Sequence, residues 1–303
     1  MKKLFNVILV VNVVSLSAFI ARAQPTPASA IPVAERSAAP APQRPRGGFP
    51  SRADQPAPRP DANSQLAHEQ LLEKAKKGGI DIYFEGDSIT RRWGATDYPN
   101  FLANWNANFF GWNAADFGWG ADGIEHILWR LENGELDGVN PKIIVLLAGI
   151  NNVGAWPGDD AKVEDITRGL KAVLDVCQKK APGATVVLTA IFPRNDNMAV
   201  IPTINQINDN LARLADGKKI RLLNVNDKLA DQDGRLFDGM MNPGDKLHPT
   251  VKGYQVWADG LKPIFTELLG PPAKTDHAPP PTGDPGARKI SGVPSVISSA
   301  NHR

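Results

Sequence analysis

Between residues 63 and 270 the chain alternates short apolar segments with longer amphipathic ones, and this alternation restricts the fold most. The apolar segments have the length of strands and lie at 80–84, 114–117, 143–148, 185–191 and 220–225. The amphipathic segments have helical spacing and lie at 64–77, 123–131, 162–179, 204–215 and 251–269. Strands that alternate with helices predict a central parallel sheet covered on both faces, a three-layer α/β/α sandwich.

Three segments flank this predicted domain. Residues 1–23 have a basic start, an apolar core and a final Ala-Arg-Ala, which predicts a secretory signal peptide cleaved after Ala23. Its apolar run is short and broken by polar residues, which argues against a membrane anchor, and the mature chain has no other long apolar stretch. Residues 24–62 hold ten of the 26 prolines and predict a disordered linker, either a plain spacer or a surface tether. Residues 271–303 predict a disordered tail.

Charge and cysteine content exclude several classes of function. The chain has 34 basic and 32 acidic residues, and removing the signal peptide leaves 31 against 32. Without a basic excess, nucleic acid is not an expected partner. Cys177 is the only cysteine, so it is predicted to be a small buried residue rather than a nucleophile or part of a disulfide. No cluster of Asp, Glu and His suggests a metal, and no cofactor is expected.

The first strand segment runs directly into Gly86-Asp87-Ser88, and residues 89–93 then have the character of a helix start. This order predicts that Ser88 lies on a strand-to-helix turn at the carboxyl end of the sheet, where ligands bind in open α/β folds. The free backbone N–H groups of a helix start can also stabilise developing negative charge. A second interpretation is that Ser88 is only a helix N-cap.

Two further strand segments also end in polar or glycine-rich turns. Residues 118–122 read Gly-Trp-Gly-Ala-Asp, a turn that can expose backbone N–H groups, and Asn151 follows the strand segment at 143–148. The amide of Asn151 can donate toward the same edge of the sheet as Ser88. The alternative is that the first is a plain loop and the second a turn residue.

The last polar block precedes the final helix. Asp245 and His248 are three residues apart, close enough for a carboxylate to orient an imidazole through its Nδ1–H. Together with Ser88 they give the chain order Ser, Asp, His of a hydrolytic triad. A polar loop with a surface histidine is the alternative.

These blocks resemble those of the SGNH, or GDSL, hydrolases. The resemblance covers residues 80–269 and rests on Gly-Asp-Ser at 86–88, Gly-Ile-Asn-Asn at 149–152 and Asp-Lys-Leu-His at 245–248. Residues 117–152 are most similar to the esterases built like the catalytic subunits of platelet-activating-factor acetylhydrolase. The resemblance implies a flavodoxin-like sheet, Ser88 as nucleophile, His248 as general base and Asp245 as its orienting partner.

The resemblance also implies an oxyanion hole. Its donors would be the backbone N–H of Ser88, a backbone N–H of the second block, the turn at residues 118–122, and the side chain of Asn151. The family has glycine where this chain has Ala121, so a positive φ there would be strained. We therefore expect an αR- or β-like backbone at Ala121 or a tighter pocket, with Gly120 as the alternative donor.

The implied activity is that of an exported serine esterase that removes short acyl groups, acetyl first, from a carbohydrate or a small lipid. Substrate-cleft candidates are the residues that accompany the blocks: Asp87, Trp93, Trp119 and Trp156. Two alternatives stay open. One is a lysophospholipase or thioesterase of the same family, and the other is a non-catalytic carbohydrate-binding domain on this fold.

Overall fold

The computed structural model of the chain describes residues 52–287. Within them, five parallel strands form one sheet in the order β2-β1-β3-β4-β5. The strands are β1 (Ile82–Gly86), β2 (Ala114–Asp116), β3 (Ile143–Leu147), β4 (Thr185–Thr189) and β5 (Ile220–Leu223). The prediction of a parallel α/β sheet is confirmed, with all five strands within the predicted segments or shifted by two residues.

Eight α-helices connect and cover these strands in the described part of the chain. They are α1 (Ala62–Lys77), α2 (Ser88–Gly94), α3 (Pro99–Phe109), α4 (Ile124–Arg130), α5 (Ile150–Val153), α6 (Asp160–Lys180), α7 (Ile201–Leu214) and α8 (Val251–Leu269). Helix α3 packs against α2 and α8, whereas α6 packs against α4 and α7.

The alternation of side chains along β1 separates the two helical layers. Phe84 packs against Trp105 of α3 at 4.6 Å between ring centroids, while Tyr83 stacks on Phe117 at 4.0 Å on the opposite face. All five residues of β1 and all five of β3 are buried, as expected for central strands covered on both sides. This places the carboxyl end of β1, with its polar block, in the interior of the sheet between β2 and β3.

Trp93 belongs to the core and not to a substrate cleft. Its side chain is fully buried and packs on Trp257 and Phe109, with ring centroids 5.0 and 4.9 Å away. Helix α2 is short and turns its aromatic residue inward, where burial of a large ring stabilises the contact with α3 and α8. The prediction that Trp93 lines the cleft is therefore wrong.

An N-terminal arm, residues 52–61, is ordered against the domain. Ala53 is fully buried and donates its N–H to Asp165 at 3.1 Å, and Ala57 donates to the carbonyl of Glu125 at 3.1 Å. Asp61 caps α1 by accepting from Ser64 N–H at 2.9 Å. The prediction of a disordered linker over 24–62 is thus wrong for 52–62, whose last residue begins α1, while 24–51 and the predicted signal peptide lie outside the described residues.

A C-terminal arm, residues 271–287, is ordered as well. Ala273 donates to the Gly111 carbonyl at 2.8 Å, and Gly111 donates to the Asp276 carboxylate at 2.7 Å. Asp284 donates its N–H to Asp97 at 2.9 Å. The predicted disordered tail is therefore wrong for 271–287. Proline-rich composition allows order here because an irregular segment with few N–H groups can satisfy them on a neighbouring domain.

The interior also contains the chain's single thiol. Cys177 of α6 is fully buried, and burial raises the pKa of its thiol.

No helix among residues 52–287 is long and apolar enough to cross a membrane.

Candidate active site

Ser88 lies where β1 meets α2. The strand ends at Gly86, Asp87 caps the helix by accepting the Ile89 N–H at 2.9 Å, and Ser88 is the first helical residue. The Ser88 hydroxyl lies 2.8 Å from Nε2 of His248, 160 residues further along the chain. The alternative role as helix N-cap belongs to Asp87, which leaves the serine hydroxyl available for the imidazole.

His248 is held by the loop before α8. Its Nδ1 lies 2.8 Å from Oδ2 of Asp245, while Oδ1 of Asp245 accepts the backbone N–H groups of Leu247 and His248, each at 3.0 Å. Burial alone would raise the pKa of Asp245, but these hydrogen bonds lower it. An ionised Asp245 keeps the Nδ1 proton on the imidazole, so Nε2 is the acceptor for the serine proton.

The pKa of His248 is lowered from its ordinary value. Burial of the ring is the largest cause, and the positive charge of Arg92 adds to it, while Asp245 acts in the opposite direction. Arg92 Nη1 lies 3.6 Å from the same Asp245 oxygen that faces the imidazole. A lowered pKa keeps the imidazole neutral, the form that accepts a proton.

The second block packs directly under the first turn of α2. A Cβ on Gly118 would lie 2.5 Å from the Arg91 nitrogen and 2.9 Å from the Asp87 carbonyl oxygen, so only glycine allows this approach. The contact brings the loop at 118–122 beside Ser88.

Ala121 of this loop has a left-handed backbone, with φ of 63°. The expectation of an αR- or β-like conformation is therefore wrong. Neighbouring contacts hold the strained backbone in place, because Arg59 donates to the Gly120 carbonyl at 3.1 Å and Arg130 to the Asp122 carboxylate at 2.8 Å. Gly120, the alternative donor, is not among the positive-φ residues of the described chain.

Asn151 is the second residue of the short helix α5 that follows β3. Its Nδ2 donates to the Asp122 carbonyl at 2.8 Å, which ties the third block to the second. A carboxamide nitrogen carries two protons, so one N–H remains for another acceptor. Ala121 and Asn151 line the same cavity.

Comparison with known proteins fits this arrangement. The model of the GDSL-like lipase/acylhydrolase family matches residues 84–256. The chain belongs to that family. It is 29% identical over 211 residues to the alpha1 subunit of human platelet-activating factor acetylhydrolase IB, covering 69% of this chain and 85% of the relative. The alpha2 subunit of the bovine enzyme is 28% identical over 207 residues, with 67% and 83% covered.

Solved structures of the family share the fold. A GDSL-like lipase from Bacteroides thetaiotaomicron superimposes with a TM-score of 0.52 at 17% identity, covering 67% of this chain and 98% of that one. The protein is thus a hydrolase of the GDSL-like acylhydrolase family on a three-layer α/β/α fold.

Two other cleft candidates of this GDSL-like protein are buried. Trp119 is 8% exposed and donates through Nε1 to the Ser64 hydroxyl at 2.8 Å, so it anchors the second block to α1 instead of lining a cleft. Asp87 is fully buried, and burial raises the pKa of its carboxyl to about 7. Both predictions of a cleft position are wrong. Trp156, by contrast, is 61% exposed.

A buried ionic network beneath the site was missed in the sequence. Arg130 donates to Glu85 at 2.6 Å and to Asp122 at 2.8 Å, and it also bonds Glu135 and the Phe117 carbonyl. Burial raises the pKa of Glu85 to about 8, against the attraction of Arg130. The one available signal was a glutamate within the otherwise apolar β1, since a charge inside a central strand needs a buried partner.

Proposed function

We propose that the protein hydrolyses short-chain carboxylic esters, acetyl esters first, through Ser88, His248 and Asp245. The observation that carries the proposal is the continuous hydrogen-bonded series from Ser88 Oγ to His248 Nε2 and from His248 Nδ1 to Asp245 Oδ2, each link 2.8 Å long. A serine, an imidazole and an ionised carboxylate in this order are the groups that acyl transfer requires. The curated relatives are acetylhydrolases by name, which supports acetyl as the first acyl group to test.

The proposed reaction has two halves. His248 takes the Ser88 proton at Nε2 while Oγ bonds to the ester carbonyl carbon, and the ester C–O bond then breaks as His248 returns that proton to the departing alcohol. In the second half, water loses a proton to Nε2 as its oxygen attacks the acyl-enzyme. The Ser88 oxygen leaves with that proton, and the carboxylic acid is released.

The oxyanion would be stabilised by the backbone N–H groups of Ser88 and Ala121 and by the free N–H of Asn151. Two features support this assignment: Asn151 is bonded to the second block, and Ala121 and Asn151 line one cavity. Donors fixed in advance are each worth roughly 3 kcal/mol in the transition state.

Export is part of the proposal. The basic, apolar and Ala-Arg-Ala pattern of residues 1–23 supports cleavage after Ala23 and action on an ester outside the cytoplasm. Sequencing the N-terminus of the protein recovered from its native host tests this point.

The test of the triad combines activity with labelling. We expect Ser88→Ala to abolish hydrolysis of p-nitrophenyl acetate with an unchanged far-UV circular dichroism spectrum. A fluorophosphonate probe should add one mass increment to the peptide containing Ser88 in the wild type and none in the variant. A folded Ser88→Ala protein that keeps most of its activity would refute the proposal.

A further inference from the structure

A cavity of about 820 Å³ opens between the N-terminal arm, the second block and helix α6. It shares Ala121 and Asn151 with the proposed oxyanion hole, and Arg52 of the arm contributes to its lining. Cavities of roughly 300–1,000 Å³ accommodate ligands of the size of a drug molecule. An acetyl group of two carbons would leave most of this space empty, so the cavity has room for the alcohol part of an ester whose carbonyl lies at Ala121 and Asn151.

Most residues that line the cavity carry a charge or an amide, although carbon atoms make up the larger part of its exposed surface. Ile166 is the one large aliphatic side chain among the described residues that line the cavity, and it is only 1% exposed. Charged and amide side chains dominate the remainder. The carbon surface would tolerate an alkyl chain, but such a chain would cover the charged and amide groups without offering them hydrogen bonds, whereas a saccharide has hydroxyl groups for them as well as C–H groups for the carbon surface.

The charges of the lining nearly balance, with three cationic side chains against four carboxylates, and each of the three cations already has a partner. Arg168 pairs with Asp165 at 2.6 Å and Arg52 with Asp54 at 3.1 Å. Lys162 donates to the carbonyls of Val153 and Trp156. The carboxylates of the lining are Glu125, Asp159, Glu164 and Asp165. A strongly anionic or cationic ligand would find no matching excess of the opposite charge here.

Fixed hydrogen-bonding groups remain for an uncharged ligand. The Gly123 N–H donates to Nδ1 of His126 at 2.9 Å, so the neutral ring carries its proton on Nε2 and can donate there. The exposed carboxylate of Glu164 is an acceptor in the same lining. A mixture of donors and acceptors around a roomy cavity suits a group with many hydroxyls.

We propose that this cavity binds the saccharide part of an O-acylated saccharide, with the ester carbonyl at Ala121 and Asn151. This inference rests on the proposed esterase activity for the identity of the bound group as the leaving alcohol. It makes the N-terminal arm a wall of the substrate site, in addition to its packing on the domain.

The test fills the cavity. Ala161 lies in the lining on the first turn of α6, and Ala161→Trp would place an indole in the space. Gln178→Trp on the exposed side of the same helix is the matched control. For the full chain, kcat/KM is measured on p-nitrophenyl acetate, on mono-O-acetylated xylotetraose and on an alkyl-acetyl-glycerophosphocholine.

We expect Ala161→Trp to lower the ratio of kcat/KM for the acetylated xylotetraose to that for p-nitrophenyl acetate at least tenfold. Gln178→Trp should leave this ratio at the wild-type value. An unchanged ratio in Ala161→Trp overturns the proposal. So does a selective loss of the phospholipid ester, which would assign the cavity to a lipid.

A binding measurement separates failure of this inference from failure of the esterase proposal. Unacetylated xylotetraose is titrated into the Ser88→Ala protein and into the Ser88→Ala/Ala161→Trp double variant by NMR. We expect binding to the first protein and at least tenfold weaker binding to the second, whether or not the wild type cleaves any ester. Equal binding, or none to either protein, refutes the saccharide site.

Discussion

At the scale of single residues, Ala121 combines a proposed catalytic donor with a backbone conformation that favours glycine. A non-glycine residue in the left-handed region costs about 1–2 kcal/mol, and the contacts of Arg59 and Arg130 to its neighbours oppose relaxation. The chain therefore has alanine at a position whose backbone conformation favours glycine. A substitution at Ala121 can therefore show whether the orientation of its backbone N–H depends on the residue's own conformational preference or on the contacts of its neighbours.

We expect Ala121→Gly to fold with similar stability, because relief of strain offsets the greater freedom of glycine in the unfolded chain. Its kcat on p-nitrophenyl acetate should change only several-fold, since the backbone N–H remains. Asn151→Ala deletes a donor and should lower kcat by about 10² to 10³. Comparable losses in the two variants, each checked by urea unfolding, would argue against these roles.

Ala121→Pro would be a poor probe of the same donor. Proline lacks an N–H, but its ring also fixes φ near −65°, whereas this position has φ of 63°. A loss of activity would therefore report a rebuilt loop as readily as a missing donor.

A second residue-scale prediction concerns the pH dependence of catalysis. The charged groups that face His248 are Asp245, Arg92 and Arg194. After burial, the charge of Arg92 is the largest cause that lowers the pKa of His248, so its removal should raise that pKa. Because the neutral imidazole is the active form, Arg92→Ala should lose activity at a higher pH than the wild type on acidification.

The measurement is kcat/KM for p-nitrophenyl acetate between pH 4 and pH 8. Arg91→Ala is the matched control, because Arg91 pairs with Asp97 and lies over the Trp119 ring instead of facing the imidazole. An acid limb that stays in place in Arg92→Ala, or that moves equally in both variants, contradicts the assignment.

At the scale of elements, the end of α4 is joined to β1 and to the second block through one guanidinium. Arg130 is 4% exposed and contacts Glu85 and Asp122, both fully buried. Arg130→Met should lower the free energy of unfolding by about 3–5 kcal/mol, since it leaves the fully buried Glu85 without its cationic partner. Arg213→Met on the exposed face of α7 should cost less than about 1 kcal/mol in the same urea titration.

Equal urea midpoints and slopes in the two arginine variants would contradict this prediction. The buried network would then stabilise the fold little more than an apolar side chain of similar length does. The comparison is made at pH 7.

Elements with a strong pattern were predictable from the sequence, and weakly patterned ones were not. The continuous apolar run predicted strand β3, and the apolar residues at helical spacing predicted helix α6. Both predictions are confirmed, because these residues are the ones that the fold buries. Helix α3 was missed: its asparagines favour turns, and tertiary packing of Trp105 and Phe109 overrides that preference.

The candidate site shows the same division. Ser88 lies in one local block and Asp245 and His248 in another, and the place of both blocks beside strand ends and helix starts indicated a shared edge of the sheet, where the structure brings all three together. Arg59 and Arg130 lie outside these blocks, so no motif marks their contacts with Asp122. The three tryptophans near the blocks could not be sorted into core and surface by sequence, because an indole suits either environment.

At the scale of the whole molecule, two arms extend the domain beyond the segment that composition predicts. The N-terminal arm touches the loop at 118–122, which carries the proposed oxyanion donor Ala121, with Arg59 bonded to Gly120 and Asp122. The C-terminal arm contacts Gly111 and Asp97, which belong to neither the proposed triad nor that loop. The arms should therefore contribute differently to activity and to stability.

We expect the fragment 52–287 to match a protein of residues 24–303 in melting temperature and in kcat on p-nitrophenyl acetate. Fragment 52–270 should melt at a lower temperature but keep its activity in the cold. Fragment 63–287 should lose activity by at least tenfold even where it is folded, because it lacks Arg59, which holds the loop at 118–122. Full activity of folded 63–287 would contradict this.

The buried thiol of Cys177 makes the protein convenient for spectroscopy. It is the only cysteine in the chain, and a fully buried thiol with a raised pKa does not react with maleimides while the protein is folded. A cysteine introduced in place of the exposed Trp156 would thus accept a fluorescent dye selectively, with no native thiol to remove first. Such a dye would stand in the loop between α5 and α6, which also carries Asp159 of the cavity lining, so its emission can be followed while a ligand is added.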